Sequence, residues 1–204
     1  MSHIFISYSR RDIDFAQKIV DALSANKLDT WIDWKSIPKG EKWLEEIYRG
    51  IEGADAFLFL ISPDSAISVN CNKEIEHAIK NNKRIIPVVI RDADLKAIHS
   101  EISKRNWIFC RDGQDDFNKA IEETRETIHT DYEWLKYHTE LQVKALKWEQ
   151  KKDNSRLLRG KELREAEKQL ADIGSQEDPQ PTKLQREYIL ASQSNEIRIR
   201  RQIT

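Results

Sequence analysis

The first 130 residues alternate between short, continuous apolar runs and stretches with apolar positions at helical spacing. Residues 3–7 read as a buried strand. Residues 12–26 place Ile13, Ala16, Ile19, Val20 and Leu23 on one helical face, with Asp12 as the expected N-cap. Leu28-Asp29-Thr30-Trp31-Ile32 reads as a second strand, and a turn-rich loop follows from Asp33 to Gly40. A helix is expected from Trp43 to Ile51, carrying Leu44, Ile47, Tyr48 and Ile51 on one side. The most apolar strand is Ala56-Phe57-Leu58-Phe59-Leu60-Ile61. A helix over Cys71–Lys80, a strand over 85–90, a shorter strand over 106–110 and a helix through Phe117, Ala120, Ile121 and Ile128 complete the series.

Continuous apolar strands separated by helices predict a parallel sheet covered on both faces. Five of them in this rhythm predict a flavodoxin-like, doubly wound α/β fold. Pro87 falls inside the fourth strand. It is expected only at an edge or a bulge, or else marks a wrong strand boundary.

After Thr130 the strand pattern stops, so the chain is expected to divide into an α/β domain over 1–130 and a small all-helical region over 131–204. Residues 131–152 and 156–173 carry helical apolar patterns. Gly174 to Pro181 breaks them, and Thr182 is placed to cap a last helix through Leu184, Tyr188, Ile189 and Leu190. A helical hairpin plus a third helix follows, read as a signal-coupling or oligomerisation region. Arg198, Arg200 and Arg201, among Ile197, Ile199 and Ile203, read as a solvated helix end.

Charge narrows the function. The 204 residues carry 34 basic and 35 acidic side chains, a net charge of -1. The helical tail has 15 basic and 13 acidic residues, so it is no basic arm. This balance argues against a nucleic-acid or membrane-surface binder. No apolar run reaches membrane-spanning length, and the N-terminus lacks a signal-peptide layout; a reducing cytoplasm is the expected location. Cys71 and Cys110 lack metal-ligand spacing, as do His3, His99, His129 and His138, so no metal site is expected.

Three segments fall where parallel sheets place ligand clefts, just after strands. They are Phe5-Ile6-Ser7-Tyr8-Ser9, then Trp31-Ile32-Asp33 with Gly40 and Trp43, then Ser68-x-x-Cys71-x-x-Glu74. In this order they resemble the Toll/interleukin receptor (TIR) domain, in its bacterial style, over residues 1 to about 130. The segments Leu157–Glu167 and Leu184–Ser192 resemble the helical region after TIR domains in some bacterial repeat-containing proteins.

The resemblance implies an enzyme that cleaves NAD, its substrate rather than a cofactor, at the bond between nicotinamide and ribose. Glu74 is the expected catalytic carboxylate. Trp43, which matches the family's aromatic after the loop glycine, and Trp34 are the expected platforms for the nicotinamide ring. Arg10 and Arg11 are placed to bind the diphosphate. Tyr8, Ser68 and Cys71 complete the implied substrate site. The loop residues Asp33, Ile37, Pro38, Lys39 and Gly40 are implied to mediate head-to-tail self-association into oligomers or filaments. Pro38 stands where some relatives carry an acidic residue, so no acidic ligand is expected in that loop.

Plainer readings exist for most of these residues. Glu74 by itself would pass for a helix-start carboxylate or a surface partner of Lys73 or Lys80. Cys71 reads better as a small buried filler than as a nucleophile. Asp33 suits a turn, and Arg10 and Arg11 suit a solvated cap. A scaffold that works through TIR–TIR contacts alone is the alternative to the enzyme.

Overall fold

A computed structural model describes residues 3–32, 42–175 and 177–203, with side chains through Arg201. The chain divides into two compact units, residues 1–136 and 137–204.

The first unit is built on five parallel strands, β1 (His3–Ser7), β2 (Asp29–Trp31), β3 (Ala56–Ile61), β4 (Arg84–Val89) and β5 (Ile108–Phe109), in the order β2-β1-β3-β4-β5. This is the expected doubly wound order. Strand alternation divides the core into two layers. Ile4, Ile6, Leu58, Leu60, Ile86 and Val88 face α1 (Ile13–Ala25) and α6 (Phe117–His129). Phe5, Phe57, Phe59, Ile61, Ile85 and Val89 face α2 (Trp43–Gly53) and α4 (Val69–Lys80). Two four-residue helices escape the sequence pattern, α3 (Pro63–Ala66) and α5 (Ser100–Ser103).

An aromatic ladder ties three strands together. Phe5 is in register with both Trp31 and Phe57, and its ring stacks on theirs with centroids 4.8 and 5.4 Å apart. Gly50 on α2 makes room for it, since a Cβ there would lie 3.0 Å from the Trp31 ring.

Pro87 corrects an expectation. It lies inside an internal strand, in unbroken register opposite Phe59. The neighbouring N–H of Ile90 bonds to Ile61 on β3, so odd-numbered residues direct their amides toward β5. β5 pairs only with Val88 and Val89. Proline's missing N–H therefore faces the side where the β5 ladder has not begun, and no sheet bond is lost. β5 is itself shorter than the expected 106–110.

The second unit contains most of α7 (Tyr132–Glu149), then α8 (Gly160–Asp172) and α9 (Lys183–Ile203). Leu141, Ala145, Trp148, Leu158, Leu163 and Tyr188 are among its core residues. Thr182 caps α9 as expected. Its Oγ1 accepts from the Gln185 amide at 3.0 Å, and the Gln185 side chain accepts from the Thr182 amide at 2.9 Å. Among the described residues, no helix is long and apolar enough to cross a membrane.

Candidate functional site

In this strand order the topological switch lies between β1 and β3, where ligand clefts open beyond the strands' carboxyl ends. Ser7 is the last residue of β1. It alternates with Phe5 onto the sheet face covered by α2 and α4. Its hydroxyl donates to Oε2 of Glu74 at 2.5 Å.

Glu74 lies on the buried face of α4, with Cys71, Ile75 and Ala78. It is only 7% exposed, whereas Lys73 and Lys80 are exposed. It is also the sixth residue of α4, beyond the first turn where the helix dipole acts. The surface-pair and dipole readings therefore lose their basis. A buried carboxylate is costly without hydrogen bonds, and Ser7 supplies one.

The other expected residues divide by role. Ser68 is the N-cap of α4, its Oγ accepting from the Cys71 amide at 3.3 Å. Cys71 is buried, and its Sγ donates to the Tyr8 carbonyl at 3.4 Å. Tyr8 presents that carbonyl to α4, but its side chain packs in the α1/α6 layer, on the face opposite Ser7. The resemblance implies Tyr8 in the substrate site; in the structure its backbone faces α4 while its side chain packs in the core. Trp43 opens α2 and is 37% exposed. α2 packs beside α4, with Tyr48 stacked on His77 at 3.9 Å, and both helices start at the same rim. Arg10 is exposed on a short 3-10 turn over Arg10–Asp12. Asp33, Trp34, Ile37, Pro38, Lys39 and Gly40 lie outside the described residues.

A second cluster on the same rim was not anticipated. Asp12 stands at the N-cap position of α1, but its side chain makes no capping hydrogen bond. Its buried carboxylate accepts from Ser62 Oγ at 2.6 Å and from Arg91 Nε and Nη2 at 2.9 and 2.6 Å. Arg91 Nη2 also donates to Asp64 at 2.6 Å, and Arg11 Nη1 donates to Asp64 at 2.9 Å. The hydrogen bond from Arg91 holds the Asp64 carboxyl below its usual range, and the two carboxylates raise the Arg91 guanidinium. Arg11 is thus engaged by Asp64. The signal that could have found Ser7, Ser62 and Arg91 is positional, because each ends or follows a strand at the ligand-bearing edge. Among the described residues, no group of three His, Cys, Asp or Glu side chains could hold a metal ion.

The fold is an open, doubly wound α/β sheet, the class whose ligand clefts lie at the carboxyl edge beside the switch point, where Ser7 and Glu74 meet. The family model for the TIR domain matches residues 4–124, so the chain belongs to the TIR domain family. No curated protein matches it. Among solved structures it is similar to the TIR domain of the Toll-related receptor TRR-2 from Hydra magnipapillata, with a TM-score of 0.52, 17% identity, and 61% of this chain and 96% of that one covered. It is also similar to a metazoan TIR-STING receptor from C. gigas, solved in complex with 2',3'-cGAMP, with a TM-score of 0.52 and 20% identity. That match covers 63% of this chain and 39% of the receptor. At these identities the likeness shows the fold.

Proposed function

We propose that this TIR domain cleaves NAD between nicotinamide and ribose. The observation that carries the reading is the buried Glu74 carboxylate, held by Ser7 at the switch-point edge. Nicotinamide in NAD is already cationic. When the C–N bond breaks, the electron pair goes to the ring nitrogen and neutral nicotinamide leaves without a strong general acid. Positive charge then develops on the ribose as an oxocarbenium-like species. Glu74 stabilises it by charge and by hydrogen bonds to ribose hydroxyls, the logic glycosidases use. Ser7, bonded to one oxygen, fixes the plane of the carboxylate. Water as acceptor gives ADP-ribose and a proton; a nucleophile within the same molecule gives a cyclic product. Trp43 and Trp34 hold the nicotinamide ring, Arg10 contacts the diphosphate, and Ser68 and Cys71 shape the wall. Self-association through the segment Asp33–Gly40 brings the pocket to its competent form, and the helical region after the TIR domain couples the activating signal. This is a bacterial-type signalling or defence effector acting in the cytoplasm.

One observation favours the scaffold as a second reading. Ile67 and Val69, on either side of the Ser68 cap, are 72% and 69% exposed, an apolar pair suited to a protein contact.

Nicotinamide release from NAD by the purified chain, at low and high protein concentration, decides between them. The enzyme releases nicotinamide with a specific activity that rises with concentration, and Glu74→Gln lowers it at least about 100-fold, the scale of a lost electrostatic stabiliser. No release, even when the chain is artificially clustered, leaves the scaffold.

A further inference from the structure

We infer that Arg91 and Asp12 are positioning residues that clamp the segment Ser7–Asp12 over the candidate site. That segment is held from two sides. At its β1 end, Ser7 donates to Glu74, and the Tyr8 carbonyl accepts from Cys71, so α4 holds it. At its α1 end, the Asp12 carboxylate is gripped by Ser62 after β3 and by Arg91 after β4. Between the anchors the chain closes on itself, with the Asp12 amide bonded to the Ser9 carbonyl at 2.8 Å.

An ion pair with one buried partner seldom adds much net stability, because desolvation of that partner offsets the attraction. What it does supply is direction. The planar guanidinium of Arg91 holds carboxylates from two different segments, Asp12 and Asp64, in one fixed fork. The Arg91 side chain remains 48% exposed, so the fork closes at the mouth of the rim rather than inside the core. The segments it joins follow β1 and β3, the two strands that flank the switch point, and β4, the next strand beyond β3. Asp12 gives up a capping role to make this contact. The clamp therefore fixes where the Ser7 hydroxyl points, and through it the plane of the Glu74 carboxylate. A misaligned carboxylate weakens stabilisation of the transition state more than binding of the substrate, so the loss falls on kcat.

The kinetic arm of the test rests on the proposed NAD cleavage; the exchange arm does not. In the full chain, Arg91→Lys keeps the charge but loses the fork, and Ser62→Ala removes one donor to Asp12. Each is expected to speed amide hydrogen exchange of residues 9–12 by about tenfold or more while the β3 and β4 amides keep their native rates. Each should lower kcat for nicotinamide release by about tenfold with KM within about twofold, and Asp64→Asn, which spares the Asp12 contact, should change neither by more than about twofold. If Arg91→Lys does not fold, Ser62→Ala decides alone. Unchanged exchange at 9–12, a uniform rise across the unit, or faster exchange with native kcat overturns the inference. If the native chain releases no nicotinamide, the proposed function fails, and the clamp stands or falls on exchange alone.

Discussion

The two units bury polar side chains in different places. In the sheet unit all but a few, such as Thr124 on α6, collect at the strand ends. Ser7, Asp12, Ser62, Ser65 and Glu74 lie at the carboxyl edge, and Asp55, Lys83 and Arg84 at the amino edge. The layers between the edges are apolar. In the helical unit the buried polar groups lie within the helix interfaces. Gln185 donates to the His138 carbonyl at 2.9 Å, Thr182 donates to Gln142 at 2.7 Å, and Ser192 accepts from the Leu158 amide at 3.1 Å. A sheet satisfies its backbone internally and needs only apolar side chains to pack, so polar groups at its edges are available for chemistry. Three helices lack cross-strand bonds to set their register, and here directional side-chain bonds set it instead.

The largest effect that sharpens this contrast is expected from Phe57→Ala. Phe57 is fully buried and stacks on Phe5 in the three-strand ladder. Its loss should cost the sheet unit about 3–5 kcal/mol, read by denaturant unfolding with amide exchange resolved for each unit. The helical unit should keep its protection. Gln185→Leu is the converse. It leaves the Thr182 amide and the His138 carbonyl without their side-chain partner, and should cost the helical unit about 1–3 kcal/mol. Equal losses in both units for either variant would mean that the two interiors do not differ as described.

Alkali should separate the units by sign. Burial pushes the Lys83 ammonium down to about 8 from an ordinary 10.5, against the opposing pull of Asp55 and Glu52. Between those values the unfolded chain binds more protons than the folded one. The sheet unit therefore gains stability as pH rises from about 8 toward 9. Above pH 9 the Cys110 thiol, which burial pushes up to about 11 from 9.0, opposes the gain, because the folded chain then holds a proton that the unfolded chain has lost. In the helical unit, burial first and then Glu165, Glu162 and Glu140 push the Tyr137 phenol up to about 12 from 10.0. Its stabilising contribution is complete below pH 10 and is lost as pH rises toward about 12. Urea midpoints followed by unit-resolved exchange should rise for the first unit between about pH 8 and 9 and fall for the second above pH 10. Lys83→Met should flatten the rise.

The same contrast explains what could be read from the chain. The run Ala56–Ile61 is buried at every position and was legible as a strand. The faces of α1 and α2 follow from apolar periodicity, and the alternation of strands and helices implies the doubly wound sheet. The roles of edge residues do not, because they depend on partners far apart in sequence. Asp12 looks like a helix cap until Ser62 and Arg91, 50 and 79 residues on, claim its carboxylate. Ser7 looks like part of a strand until Glu74, 67 residues away, meets it. Tyr8 and Ser7 are neighbours in one motif, yet alternation sends their side chains to opposite faces. In the helical unit the Thr182 cap was legible from local spacing, but the reach of Gln185 to His138 was not.

The smallest effect tests the boundary between scaffold and site. The Ser68 hydroxyl accepts from the Cys71 amide, one of the orphan donors at the start of α4. Ser68→Ala should cost the sheet unit about 1 kcal/mol and speed amide exchange only in the first turn of α4. Glu74 lies beyond that turn and keeps its bond to Ser7. Nicotinamide release should therefore fall by less than about threefold, the effect of a frayed helix end on a carboxylate anchored elsewhere. If the loss instead matches that of Glu74→Gln while exchange beyond the first turn stays native, Ser68 touches substrate as the family resemblance implies, and the site extends from the sheet edge onto the helix cap.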